Sequence, residues 1–295
     1  MKTTAQKREL RLLIDRADAI ARTAKGEFLK TVRDIRKELL FQLEERDISR
    51  NADLRDRVIA EAQRKIDRLR KRLERLMTSQ SEYASERAHK GAERMLGQSI
   101  TRYSPEHQRA IIDALEARQG GGLAATFTQG MSKSIVTALR NATLSAFREQ
   151  AVDGLTNQEL RRVIKEKWMS AAKSTENFQF VDRSGRVWNT DTYLMMNVRT
   201  NSMAIYNDTL IDDITRTTGS DLVRISDDGG TADSCDACQE WAGRICSVTG
   251  ATEGFPTVEQ AKADGVFHPN CIHTLEPVDE DLDADDINEQ RGKYV

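Results

Sequence analysis

Apolar residues recur at steps of three and four along the N-terminal part of the chain, and that spacing commits it to long helices. Leu10, Leu13, Ile14, Ala17, Ala21, Ala24, Phe28, Ile35 and Leu39 form one stripe. At 3.6 residues per turn they share one helical face. Leu54, Val58, Ala62, Ile66, Leu69, Leu73 and Leu76 form a second stripe whose spacing approaches a heptad seam. The polar run Asp47-Ile48-Ser49-Arg50-Asn51 between them predicts a turn, so the two helices are expected to fold back as a long helical hairpin or coiled-coil arm. Both stripes are narrow, and the hairpin needs a further surface to cover it. Composition agrees: aromatic residues are 5%, charged residues 31% and prolines only four, which suits long solvated helices better than one thick core.

The fold class that follows is mainly α, with a small α+β zinc-stapled module at the C-terminal end. Residues 1–119 are the arm, ending in a short helix that Ser104-Pro105-Glu106 opens and that runs through Ile111, Ile112 and Leu115. Gly120-Gly121-Gly122 is expected to be a hinge, because three glycines cannot continue a helix cheaply. Residues 123–219 are a helical middle region. In it Thr156 and Glu159 make a capping box, residues 178–188 fold as a hairpin around Ser184-Gly185, and Thr190-Asp191 cap a further helix that Gly219 ends. Residues 220–278 are the α+β module, with a strand at 222–225 and a helix opened by the Thr257/Gln260 capping box and ended by Gly265. Residues 279–295 carry six acids over Asp279–Asp286 and are expected to be a flexible, solvated tail.

The module holds the chain's clearest chemistry. Cys235 and Cys238 stand in C-D-A-C spacing, and His268, Cys271 and His273 in H-P-N-C-I-H. Elsewhere there are only Cys246, His89 and His107. A four-residue turn brings its ends within about 7 Å, so each pair can offer two donors to one ion. Facing turns would supply Cys235, Cys238, His268 and Cys271 as a closed tetrahedral shell, the donor set of structural zinc. His273 is the alternative fourth ligand: in extended chain, residues two apart face the same way, which aligns it with Cys271. A catalytic zinc, a disulfide and metal-free thiols are the competing readings. Cys246 reads as a core residue, and His89 and His107 as surface histidines. So small a module buries little on its own, so a metal staple is expected to hold it.

Net charge is −2 and predicts no partner by itself. Locally, residues 64–75, from Arg64 to Arg75, carry seven bases and two acids on an amphipathic helix. That is either a solvated face or a non-specific contact with DNA or an acidic protein surface. No apolar run approaches the roughly 18 residues of a membrane span. The N-terminus leads into a charged helix and not an apolar signal core, so synthesis in a cytoplasm is expected. There is no phosphate-binding glycine loop, HExxH or nucleophile elbow.

Several of these residues occur together in one known family. Val198-Arg199-Thr200, the strand Leu222-Val223-Arg224-Ile225-Ser226, Asp233-Ser234-Cys235-Asp236-Ala237-Cys238-Gln239, Gly243-Arg244 and Gly265-Val266-Phe267-His268-Pro269-Asn270-Cys271-Ile272-His273 resemble, in that order, the C-terminal part of the phage minor capsid protein 2 family. They are more distantly similar to Mu F-like head morphogenesis proteins. The similarity covers about residues 175–278, with Ile272 where the family often has arginine. It implies a virion component in few copies, at the portal vertex or inner capsid, supporting head assembly and genome packaging or delivery. The portal protein or major capsid protein would be its partner, and packaged DNA would be within reach of Arg64–Arg75. The rival reading is a zinc-dependent hydrolase or nuclease-like module, in which Asp233 or Glu240 would act as acid or base beside an open metal position.

Overall fold

The computed structural model describes residues 4–45, 52–102, 104, 106, 109–110, 112–113, 122–176, 179–181, 187–227 and 235–294. Two long helices come first, α1 (Thr4–Glu45) and α2 (Ala52–Leu96). Next are α3 (Gly122–Asp153) and α4 (Asn157–Glu176). The antiparallel pair β1 (Gln179–Val181) and β2 (Val187–Asn189) leads into α5 (Thr190–Thr218). Short elements complete the described chain: β3 (Leu222–Ile225), α6 (Asp236–Trp241), β4 (Ile245–Ser247), α7 (Val258–Ala263), β5 (Leu275–Pro277) and α8 (Ala284–Gln290). The protein is mainly helical with a small C-terminal sheet, in line with the sequence. The polar turn at 47–51, Pro105, His107, Ile111, Leu115, the glycines at 120 and 121, and Ser184-Gly185 lie outside the described residues. Gly122 is the first residue of α3.

The chain divides into two compact units that cut across the expected boundaries. A helical unit comprises Ile20–Met77 and Ala117–Met195. A three-segment unit comprises Met1–Ala19, Thr78–Glu116 and Met196–Val295. The expected arm and the expected metal module therefore each give residues to one shared unit.

In the helical unit, α1 and α2 run antiparallel. Arg72 on α2 pairs with Glu27 on α1 at 3.0 Å and donates to the Thr31 hydroxyl at 3.3 Å. Ala24, Phe28, Val32 and Ile35 are buried on α1, and Val58, Ala62, Ile66, Leu69 and Leu73 on α2. α3 and α4 add Ile135, Leu139 and Ala146, and Leu160, Ile164 and Trp168. The indole N–H of Trp168 donates to the Thr143 hydroxyl at 2.8 Å, which satisfies a polar atom that deep burial would otherwise leave costly. The capping box at the start of α4 is formed: the Thr156 N–H donates to the Glu159 carboxylate at 2.8 Å and the Glu159 N–H to the Thr156 hydroxyl at 3.3 Å. At the start of α5 the cap is Asn189, whose Oδ1 accepts the Thr192 N–H at 2.8 Å, one residue before the expected Thr190.

In the three-segment unit one core runs without a break from the helices into the sheet. It contains Leu10 and Leu13 of α1, Ala84, Ala88 and Ala92 of α2, Tyr206, Leu210 and Ile214 of α5, and Val223, Ile225, Cys246 and Leu275 of the sheet. The small side chains at 84, 88 and 92 let α5 approach α2 closely. At Gly91 a Cβ would stand 2.6 Å from the Tyr206 hydroxyl, so any larger residue would force the buried Tyr206 ring to move. Glu9, 1% exposed, is held by Arg87 at 2.8 Å and by Arg94. Burial raises the Glu9 carboxyl, but the hydrogen bonds and charges of Arg87 and Arg94 outweigh it and hold the group below its ordinary value.

His89 is the clearest departure from expectation in this unit. It is not at the surface: it is 1% exposed, with Nδ1 2.5 Å from the Asp213 carboxylate on α5. Arg216 donates to the other Asp213 oxygen at 2.8 Å. The sequence around His89 reads as polar because its partners lie on a helix more than a hundred residues away.

The sheet is antiparallel in the order β4-β3-β5. Alternation along β3 sends Val223 and Ile225 to the helices and Leu222 to the other face, where Ile245, Phe255, Val278 and Ile287 complete a second small core. Ile287 belongs to α8, so the acidic tail is ordered and covers that face. Arg224 donates to Asp283 at 2.8 Å and also pairs with Asp286. The Gln290 side chain accepts the Ile245 N–H at 2.9 Å. The flexible tail expected at 279–295 is thus corrected: its acids neutralise Arg224, and one buried isoleucine anchors it.

Candidate metal centre

The C-D-A-C pair sits at the start of α6. Cys235 is the N-cap residue, in extended conformation (φ −68°, ψ 159°), and its sulfur accepts the Cys238 N–H at 3.4 Å. The expected turn is therefore the first turn of a helix, which puts the two sulfurs on one side. Cys238 is buried and Cys235 exposed.

The second pair is closed by the Cys271 N–H donating to the His268 carbonyl at 2.9 Å. Asn270 has φ +66°, the left-handed conformation that a type II turn requires at its third position and that asparagine tolerates. This leading turn follows α7, whose Thr257/Gln260 capping box is formed as expected. Beyond Cys271 the chain is extended. Ile272 is 45% exposed while Cys271 and His273 are buried on the opposite side. Three residues outside the motif fix this stretch. Asn207 donates to the His273 carbonyl at 3.1 Å, Thr200 accepts the Asn270 N–H at 3.3 Å, and Ser226 accepts the Thr274 N–H at 3.0 Å. Thr200 and Ser226 enter the sequence reading only through the family resemblance and Asn207 not at all; the supporting role of all three was missed. The signal was a set of polar residues inside an otherwise apolar helix face and strand end.

The five donors fall in two overlapping groups. Cys235, Cys238 and His268 form one group and Cys238, Cys271 and His273 another, with ligand atoms within 4.8 Å of each other in each group. The groups share Cys238. In a tetrahedral zinc site with bonds of about 2.3 Å to sulfur and about 2.05 Å to nitrogen, S···S edges are about 3.8 Å and S···N edges about 3.5 Å. The Cys238–Cys271 sulfurs are 3.8 Å apart, and Cys271 Sγ lies 3.5 Å from His273 Nδ1. His268 is differently placed: its Nδ1 is 2.9 Å from the Pro269 carbonyl oxygen, which leaves Nε2 as its metal-facing atom. The residues present therefore fit a zinc-type ion.

Burial pushes the Cys238 thiol well up, and the neighbouring Cys235 and Cys271 push it further. A divalent cation is the usual charge that reverses such an effect. Cys246, pushed by burial to about 12, belongs to neither group and sits in the core as expected. Of the two acid–base candidates of the hydrolase reading, only Glu240 is described. Glu240 pairs with Arg244 at 3.0 Å, and Asp233 lies outside the described residues. Arg244, of the Trp241-Ala242-Gly243-Arg244 motif, lies over the rings of Trp241 and Tyr294 at 4.8 and 4.2 Å.

The comparison with known families joins these parts. Residues 172–291 match the family Phage minor capsid protein 2. The match takes in all five donors, Arg244, and α5 with its supporting residues. It runs beyond 278 through α8, which agrees with α8 packing on the sheet. No curated protein matches the chain, and no solved structure does. No described helix is long and apolar enough to cross a membrane.

Proposed function

We propose that this protein is a structural component of a phage virion, placed at the portal vertex or inner capsid, in which a single zinc ion staples the loops of residues 235–273. The observation that carries the reading is the coincidence of two things: the minor capsid family match spans the five donors, and two edges among Cys238, Cys271 and His273 already have tetrahedral lengths. We assign Cys235, Cys238, Cys271 and His273 as ligands. His273 is buried and correctly spaced, whereas His268 stands partly in solvent beside Cys235.

The role supported is structural. Four protein ligands would close the shell, and Glu240, one of the two acid–base candidates of the hydrolase reading, is engaged by Arg244. The partners of this reading are the portal protein and the major capsid protein. Quantitative mass spectrometry of purified heads tests it directly: the chain should be present in few copies per head and co-purify with portal rings. Absence from heads, or a divalent-metal-dependent nuclease activity in the purified protein, would overturn it.

A further inference from the structure

The two units carry opposite charge, although the whole chain is near neutral. The helical unit has 28 Lys and Arg against 18 Asp and Glu, a formal +10. The three-segment unit has 17 against 29, a formal −12. The difference is also one of use. In the three-segment unit the bases are largely consumed internally: Arg87 and Arg94 by Glu9, Arg199 by Asp18, Arg216 by Asp213, Arg224 by Asp283 and Asp286.

In the helical unit the bases form exposed lines. On α1, Arg22, Lys30, Arg33 and Lys37 are exposed and spaced by eight, three and four residues, on the side away from Phe28 and Ile35. On α2, Arg57, Arg64, Arg68, Lys71 and Arg75 are spaced by seven, four, three and four, away from Ile66 and Leu73. Among the described residues, no ion pair engages any of the four on α1, nor Arg57, Lys71 or Arg75. Arg64 and Arg68 share one acid, Glu61. At 1.5 Å per residue the lines span about 22 and 27 Å. A protein partner would need apolar anchors between such charges; within residues 22–37 and 57–75 no large hydrophobic residue is exposed, and the exposed Phe41 lies one turn beyond Lys37, at the end of the α1 line. A line of cations about 5 to 12 Å apart without an apolar centre suits a polyphosphate backbone.

We infer that the helical unit binds double-stranded DNA through these two lines, without sequence preference, and that the three-segment unit takes no part. This differs from a site confined to residues 64–75: Arg70 and Arg72 are taken by Glu74 and Glu27, while α1 supplies as many free cations as α2. The inference does not depend on zinc or on placement in a virion.

The test uses the full chain and a duplex of random sequence, with affinity read by fluorescence anisotropy against salt. If five phosphates are engaged, affinity should fall about 500-fold between about 50 and 200 mM monovalent salt. A variant with Arg57, Arg64, Arg68, Lys71 and Arg75 changed to Gln should bind at least about tenfold more weakly at low salt and show a shallower slope, with unchanged helical circular dichroism. Changing Arg22, Lys30, Arg33 and Lys37 to Gln should do the same. Lys293→Gln, in the acidic unit, should change nothing. Absence of duplex binding at low salt, or equal affinity of both multiple variants and the parent, would overturn the inference. So would salt-sensitive self-association abolished by the same variants without duplex binding, because the lines would then dock on the acidic unit of a second copy.

Discussion

Arg199 on α5 grips Asp18 on α1 with two hydrogen bonds, 2.6 Å from Nε and 2.8 Å from Nη2, across 181 residues of sequence. The bidentate geometry ties the N-terminal helix to the segment that matches the capsid family. Arg199→Ala should cost about 1 kcal/mol of unfolding free energy, since the pair is partly solvated, and Arg199→Lys should recover only part of it. Urea denaturation followed by intrinsic tryptophan fluorescence measures both.

Removing His89 or Asp213 should be far more damaging. Both are buried, and each deletion strands a charged or polar partner in the core. Asp213→Ala is expected to cost about 3–5 kcal/mol, and thermal unfolding of the purified variant checks it. A loss under 1 kcal/mol would show that the interaction contributes little to the fold.

The centre gives a ligand-by-ligand prediction. His273→Ala should abolish stoichiometric zinc, while His268→Ala should retain it, as read by elemental analysis after dialysis. Cobalt substitution should yield a thiolate-type visible spectrum in the parent and in His268→Ala only. Chelation should loosen the loops around α6 and α7 without melting α2 or α5, because the sheet shares its core with those helices; hydrogen exchange resolves the two regions.

Acid should weaken the three-segment unit. Glu9, Asp221 and Asp286 are each held below their ordinary values, Glu9 by Arg87 and Arg94, Asp221 by the Ser247, Thr249 and Thr252 donors, and Asp286 by Arg224 and Gln290, in every case against the opposing effect of burial. The unfolded chain therefore binds more protons than the folded one. The stability these groups provide is present above the ordinary carboxyl values of 3.8 to 4.5 and is lost as pH falls through the lower folded values. Denaturation midpoints across that range should drop, and Glu9→Gln should flatten the slope.

Ending the chain after Val278 should expose Leu222, Ile245 and Phe255 and leave Arg224 without its two acids. Each apolar side chain lost to water costs about 1.5–3 kcal/mol. The truncated protein is expected to aggregate, and light scattering at matched concentration tests this.

Local rules made much of the molecule legible. The steps of three and four gave the two long helices, the capping boxes gave the starts of α4 and α7, and the Cys and His spacing gave the donor cluster. What the sequence hid was non-local. Nothing near Leu10 says that it packs with the sheet, and nothing near Ile287 says that one isoleucine among acids will anchor a helix. His89 read as a surface residue because its carboxylate comes from α5. The fourth-ligand choice also depends on distance: spacing favours His268, which the turn pairs with Cys271, and the 3.5 Å edge between Cys271 and His273 is what supports the assignment proposed above.

Building one unit from three separated segments has a consequence for synthesis. A ribosome releases Leu10 and Leu13 long before it makes Val223 and Leu275, their neighbours in the same core. The helical unit, complete by residue 195, can settle while the other waits for its last hundred residues. Such long-range closure slows folding and leaves the start of α1 half-covered during elongation. A prematurely terminated chain would carry a finished helical unit and an open apolar N-terminal stripe, a form that a cell's proteases can tell apart from the full-length protein.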